Sequence, residues 1–276
     1  MVRKFFFGLL LSGSAIFGGC KSVSQSRLAT PTPISEGESI DLRKHRATAC
    51  EMAGFRDDLG SKYPELLKEM RLLKEMQMTG KPKNSETPNI YRLFEEEQVA
   101  IFHFAGGGFR DVNRALHKGD LQGLSKHVMF TKVLSSALNK LPPFVGRAYR
   151  VGNLPNHQPV RLLKPGQDPN KIDPEHLAQF KVGGVIDYPG FMSTSLLNFD
   201  QLAILGYKCS EAKYTIHSKF GREITSFSPS AQEREILFVP GSKFNIKKLE
   251  VSTPPGNGCP SEVVHIELVE IQLNTQ

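Results

Sequence analysis

Two glutamates one residue apart, Glu233 and Glu235, lead directly into the apolar run Ile236-Leu237-Phe238-Val239, which Pro240-Gly241 closes. In an extended backbone, residues i and i+2 project from one face, so both carboxylates would converge on a single small volume. Like charges held together raise each other's pKa and return little stability, which suggests chemistry more than architecture. The alternative is a solvated Glu-Arg-Glu loop at the start of an edge strand. Upstream lie Gly190-Phe191-Met192-Ser193-Thr194-Ser195, a strand end rich in hydroxyls, and Gly146-Arg147-Ala148-Tyr149-Arg150-Val151-Gly152, an aromatic-arginine pair on a short strand. The planar guanidinium of Arg150 suits bidentate binding of phosphate oxygens, or a strand-end salt bridge. The three hydroxyls supply hydrogen bonds to a ligand or simple strand polarity.

The order arginine, hydroxyl triplet, paired glutamates resembles the Arg/Ser-Thr-Ser/Glu-x-Glu class of bacterial mono-ADP-ribosyltransferases, typified by the enzymatic subunits of binary toxins and related insecticidal toxins. The likeness runs from about Glu95 to the C-terminus. Glu97 to Leu116 is similar to the family's early helix pair, in which an aromatic and an Asn four residues later, here Phe109 and Asn113, line the nucleotide cleft. Leu134 to Pro142 resembles the helix before the arginine strand, Ile216 to Ser228 the strand and turn before the acids, and Pro240 to Phe244 the hairpin after them. Three departures stand out: Val151 where the family usually has Gly, Phe109 where Tyr is common, and His103-Phe104 in place of a frequent Tyr-Thr pair, to which no role is assigned.

The resemblance implies transfer of ADP-ribose from NAD to a protein side chain, with release of nicotinamide through a sugar of oxocarbenium character. It assigns Glu235 to the nicotinamide ribose, where a carboxylate bonds the 2'-hydroxyl and stabilises the cation. Glu233 then sits nearer the nucleophile. Relatives with Gln at that position are associated with asparagine or Rho-type targets, so Glu233 points to an acceptor arginine. Ser193 supports the catalytic glutamate and the ribose, with Thr194 and Ser195 at the strand turn. Arg150 and Tyr149 serve the cofactor side, and Asn113 the adenosine. An NAD glycohydrolase and a catalytically silent surface lipoprotein of the same fold are the competing readings. NAD is expected as substrate, with no metal, no nucleic-acid partner and an unidentified target protein.

Composition agrees with a soluble globular protein: 276 residues, 39% apolar, 23% charged, with a net charge of +7 not gathered in long Lys/Arg blocks. Arg3 and Lys4 precede an apolar run from Phe5 to Leu11 that ends in Gly18-Gly19-Cys20, which reads as a bacterial export signal over 1–20 with a lipobox-like end. Phe17 stands where an aliphatic residue is usual. The expected product is exported, as a membrane-anchored lipoprotein through lipidated Cys20 or as a secreted protein, with a separate delivery component as one route to a target. Cys50, Cys209 and Cys259 then remain, enough for one disulfide. Neither they nor the eight His follow a metal-ligand spacing.

Positioning these groups falls to an α+β fold: N-terminal helices packed on a two-sheet, mostly antiparallel β-sandwich core of the ADP-ribosyltransferase type. Residues 21–40, rich in Ser, Thr and Pro, read as a flexible tether. Residues 41–276 read as a single domain, helical over 41–141 and strand-rich over 145–273. In Tyr63 to Met78, Leu66, Leu67, Met70, Leu73 and Met76 recur at three- and four-residue steps and predict a core-facing stripe. Lys81 to Pro88 reads as a break. Gly106-Gly107-Gly108 lacks the Lys-Ser/Thr of a phosphate loop and reads as a helix-to-helix turn. Strands are expected at 214–218, 235–239, 244–251 and 263–273.

Overall fold

A computed structural model describes residues 41–78, 93–119, 121–154, 172, 174–207, 210–253 and 262–272. The expected export signal, tether and Lys81–Pro88 break lie outside the described residues. Helix α1 (Ala49–Leu59) starts at Thr48, whose hydroxyl accepts from the Glu51 N–H while the Glu51 carboxylate accepts from the Thr48 N–H. Burial pushes the Glu51 carboxyl up, but hydrogen bonds from His45, Lys132 and Thr48 hold it down at about 2. Cys50, in the first turn, is disulfide-bonded.

Helix α2 (Lys62–Met78) buries Met70 and packs Leu66, Leu67 and Leu73 against the core. Met76 departs from the expected stripe and is 65% exposed. Each three-residue step falls about 60° short of a full turn, so the two steps from Met70 carry Met76 roughly 120° off the buried line. Helix α3 (Glu95–His103) runs into a π-helical turn, Phe104–Gly108, and then α4 (Phe109–Lys118). The turn needs Gly107 at φ 114°, a conformation costly for any side chain. Helices α5 (Leu121–Ser125) and α6 (Val128–Lys140) follow, and α6 is buried from Phe130 to Leu138.

Strand β1 (Pro143–Gly152) opens the second half, with α7 (Pro174–Leu177), β2 (Val185–Tyr188), β3 (Met192–Ser195) and α8 (Phe199–Ile204) after it. Then come β4 (Ala212–Glu223), β5 (Glu235–Phe238), β6 (Ser242–Ser252) and β7 (Val263–Ile271). Among the described residues all pairings are antiparallel except β4 with β7. The expected two sheets share strands. The order is β1-β3-β5-β4-β7-β6-β2, and β1 also pairs with β4, so four strands close on themselves within one seven-stranded network.

Among the described residues two apolar clusters form, one among the helices and one among the strands, and β5 belongs to both. Leu237 joins the helical cluster, while Ile236 and Phe238 join the strand cluster. That double burial explains the unbroken apolar run in the sequence. A second charge cluster lies in the helical half. Glu97 is fully buried, its Oε1 accepts from the Ser136 hydroxyl at 2.7 Å, and the Lys140 ammonium lies 2.7 and 2.8 Å from its two oxygens. Its Oε2 also accepts from the Phe94 N–H at 2.8 Å. Removing one partner of a buried pair strands the other charge. Glu97→Ala should therefore lower stability by roughly 3 kcal/mol in urea unfolding, whereas Arg71→Ala, at the exposed pair with Glu95, should cost under about 1 kcal/mol.

Candidate active site

The carboxylates are brought together by a turn, not by strand alternation. Glu233 ends a 3₁₀ turn, Ala231–Glu233, and only Glu235 is on the strand. Between them Arg234 adopts φ 49° and ψ 56°, the only non-glycine at positive φ among the described residues. The expected extended Glu-Arg-Glu geometry is thus corrected: a left-handed residue swings one acid out of the strand line while leaving the pair adjacent. Such a conformation costs of order 1 kcal/mol for a residue with a side chain.

Glu235 is 5% exposed and sits opposite Ser195 in the β3–β5 ladder. Burial pushes its carboxyl up to about 7; a hydrogen bond from the Ser193 hydroxyl opposes this, the neighbouring Glu233 charge adds to it, and the Arg150 guanidinium again opposes it. The residue is poised between protonation states near neutrality.

Arg150 lies on the face of β1 that carries buried Ala148. Its Nη1 donates to the Ser193 carbonyl at 2.6 Å, its Nη2 lies 3.4 Å from the Tyr188 hydroxyl, and its guanidinium sits over the Tyr188 ring. Among the described residues no carboxylate forms a salt bridge with it. The guanidinium keeps its charge available for an anion. Gly152 makes room: a Cβ there would lie 3.3 Å from the Arg150 Nε. The Gly displaced by Val151 still serves the arginine.

The other expected residues divide. Thr194 donates to the Ile236 carbonyl at 2.8 Å, and Ser195 donates to the Glu233 carbonyl while accepting from the Leu197 N–H at 2.9 Å. Thr194 thus holds β5, and Ser195 the turn before it. Asn113 binds both backbone groups of Phe191, donating to its carbonyl and accepting from its N–H, each at 2.9 Å. Gly190 permits that approach, since a Cβ would meet the Asn113 Oδ1 at 2.8 Å. Phe109, 39% exposed, lies one turn before Asn113 with its ring 5.9 Å from Phe104. Tyr149 is the register partner of Ser195 between β1 and β3, while its side chain leaves β1 on the face opposite to Arg150 and packs edge-on against Phe199 at 5.3 Å.

Three residues were missed. His117 extends the Phe109–Asn113 stripe by a further turn and packs edge-on against Tyr188 at 4.8 Å. Desolvation and the Arg150 charge lower its pKa. The four-residue spacing on α4 is the signal that would have found it. Tyr188 precedes Pro189-Gly190, a turn pair leading into β3. Tyr207 donates its hydroxyl to the Glu233 Oε1 at 2.9 Å. The cap signals Asn198-x-x-Gln201 and Gly206 would have placed it. Among the described residues no group of three or more His, Cys, Asp or Glu is placed to hold a metal ion, and no helix is long and apolar enough to cross a membrane.

Solved structures share this architecture. The type III effector XopAI of Xanthomonas axonopodis pv. citri matches over 83% of this chain and 91% of its own, with TM-score 0.58 and 16% identity. The ADP-ribosyltransferase HopU1 of Pseudomonas syringae pv. Tomato DC3000 matches over 83% and 100%, with TM-score 0.57 and 20% identity. Among curated proteins, Tre1 of Serratia proteamaculans, named an NAD(+)–protein-arginine ADP-ribosyltransferase, is 27% identical over 59% of this chain and 32% of its own length. Mav of Mycobacterium avium, provisionally named an NAD(+)–arginine ADP-ribosyltransferase, is 29% identical over 60% and 18%. The chain thus spans about a third or less of either curated relative. The family model for the ADP-ribosyltransferase exoenzyme matches residues 82–264, well over half of the sequence and every site element described above, and the chain belongs to that family.

Proposed function

We propose that the chain transfers ADP-ribose from NAD to an arginine side chain of a target protein. The observation that carries this reading is the Glu235 carboxyl, buried opposite Ser195, within the field of Arg150 and beside Glu233. Arg150 binds the pyrophosphate, for which its guanidinium has the charge and no carboxylate partner among the described residues. Phe109 and His117 flank the nucleotide on α4, while Asn113, Thr194 and Ser195 position the walls.

The bond from C1' of the ribose to the nicotinamide nitrogen breaks with its electron pair going to the ring, which neutralises the pyridinium. The ionised Glu235 faces the resulting oxocarbenium carbon and the 2'-hydroxyl; its charge acts most strongly in the transition state. A guanidino nitrogen of the acceptor attacks C1', and the proton it loses passes to Glu233. Guanidinium is charged at ordinary pH and needs that assistance. The names of Tre1 and Mav support arginine as acceptor. Water in place of the acceptor gives ADP-ribose, the glycohydrolase side reaction. For placement in the cell, the Arg3-Lys4 and Gly18-Gly19-Cys20 signals support export, with Cys20 as a lipid anchor.

Glu235→Gln should abolish both nicotinamide-releasing reactions, by a factor of about 10³ or more, while NAD affinity in calorimetry changes little; retention of a tenth of the activity would remove Glu235 from this role. Glu233→Gln should lower the ratio of arginine transfer to hydrolysis, read by mass spectrometry of labelled products, and an unchanged ratio would show the division of labour to be wrong. In pH profiles, kcat/KM for NAD should fall as pH drops below about 7 because Glu235 becomes protonated. The same raised pKa has a sign for stability. The folded protein holds an extra proton between the ordinary 4.5 and about 7, so stability is lost as pH rises through that window. Glu235→Gln should accordingly stabilise the protein above pH ~7 by up to about 3 kcal/mol and bring nothing below pH ~4.5.

A further inference from the structure

Tyr207 reaches Glu233 by a short, tightly specified path that starts at the hydroxyl triplet. Ser195 ends β3 and binds the backbone of both Glu233 and Leu197. Asn198 then caps α8, its side chain accepting from the Gln201 N–H at 3.0 Å while Gln201 returns the bond to the Asn198 N–H. At the other end the Tyr207 N–H donates to the Leu202 carbonyl at 3.0 Å and the Gly206 N–H to the Ala203 carbonyl at 3.1 Å. Gly206 stands at φ 97°. These are the two bonds of a Schellman stop, and they fix where the residue after the glycine points. The Tyr207 ring is 43% exposed, so burial does not hold it in place; its hydroxyl donates to the Glu233 Oε1 at 2.9 Å. The loop closes on itself, with Ser195 holding the backbone of Glu233 and Tyr207 holding its carboxylate.

We propose that Tyr207 is a positioning residue for the acceptor: it clamps one oxygen of Glu233 so that the other faces the incoming guanidinium. This rests on the reading of Glu233 as the acceptor-side acid. Among the described residues no second side chain bonds the Glu233 carboxylate, so without this hydroxyl its rotamer is unconstrained. Burial, the bond to Glu233 and the charges of Glu233 and Glu235 raise the Tyr207 hydroxyl to about 12. It therefore remains a proton donor throughout the range in which Glu235 changes state. A clamp on Glu233 leaves the bond-breaking step at Glu235 aside, and its signature is a change in product partition.

The test compares wild type, Tyr207→Phe, Glu233→Gln and the double variant, with NAD as donor and agmatine as a small guanidine acceptor, separating ADP-ribosyl-agmatine from free ADP-ribose by chromatography. Tyr207→Phe keeps the ring and removes the donor. It should lower the ratio of transfer to hydrolysis by about tenfold, the size expected for one hydrogen bond to a charged group, with KM for NAD and thermal midpoint unchanged. In the double variant, Tyr207→Phe should bring no further fall beyond Glu233→Gln alone, because both act through one carboxylate. An unchanged ratio in Tyr207→Phe, or losses that multiply in the double variant, would overturn the proposal. A wild-type protein that consumes no NAD, or makes only ADP-ribose, would instead overturn the transferase reading and this inference with it.

Discussion

The arrangement depends on a carboxyl group kept where a carboxylate is costly. Burial drives Glu235 toward its neutral form, and the Ser193 hydroxyl and Arg150 guanidinium only partly offset this while Glu233 opposes them. The folded chain therefore carries an unfavourable charge at its centre above neutrality. The surrounding structure, from the closed four-strand ring to the double-sided burial of β5, is what holds that charge in place.

Each supporting group acts at a different range. Ser193 lowers the pKa of the acid, Arg150 acts through its field and through the Ser193 carbonyl, Thr194 acts on the backbone of β5, and Ser195 on the backbone of the turn. The hydroxyl triplet thus has two jobs within three residues: its first member addresses the acid and the other two address the chain that presents it. Glu97, Ser136 and Lys140 make a contrasting cluster in the helical half, where a buried acid is fully matched and serves the packing of α3 on α6.

Much of this was legible from residue types. Every strand but β2 showed in an alternating or continuous apolar run or in a motif, the order of arginine, hydroxyls and acids marked the candidate site, and the glycine run marked the turn between α3 and α4. What escaped were features set by three-dimensional direction. An i,i+2 pair implies convergence only on a strand, and Arg234 leaves the strand conformation. Tyr149 and Arg150 are neighbours in the chain but face opposite sides of β1, Tyr149 pairing with Ser195 and Arg150 reaching the Ser193 carbonyl. Met76 obeys the three-residue spacing yet drifts off the buried face of α2. Tyr207 carries no motif; it enters through the stop of a six-residue helix.

The Asn113 carboxamide matches the Phe191 backbone as a neighbouring strand would, donor to acceptor and acceptor to donor. With Gly190 leaving no side chain in between, the gap between α4 and β3 is gauged by the span of a single amide. Widening it requires both bonds to break at once, so on this side the spacing is preset and not hinged, and the proposed binding of a nucleotide would leave little ordering of the walls to be done.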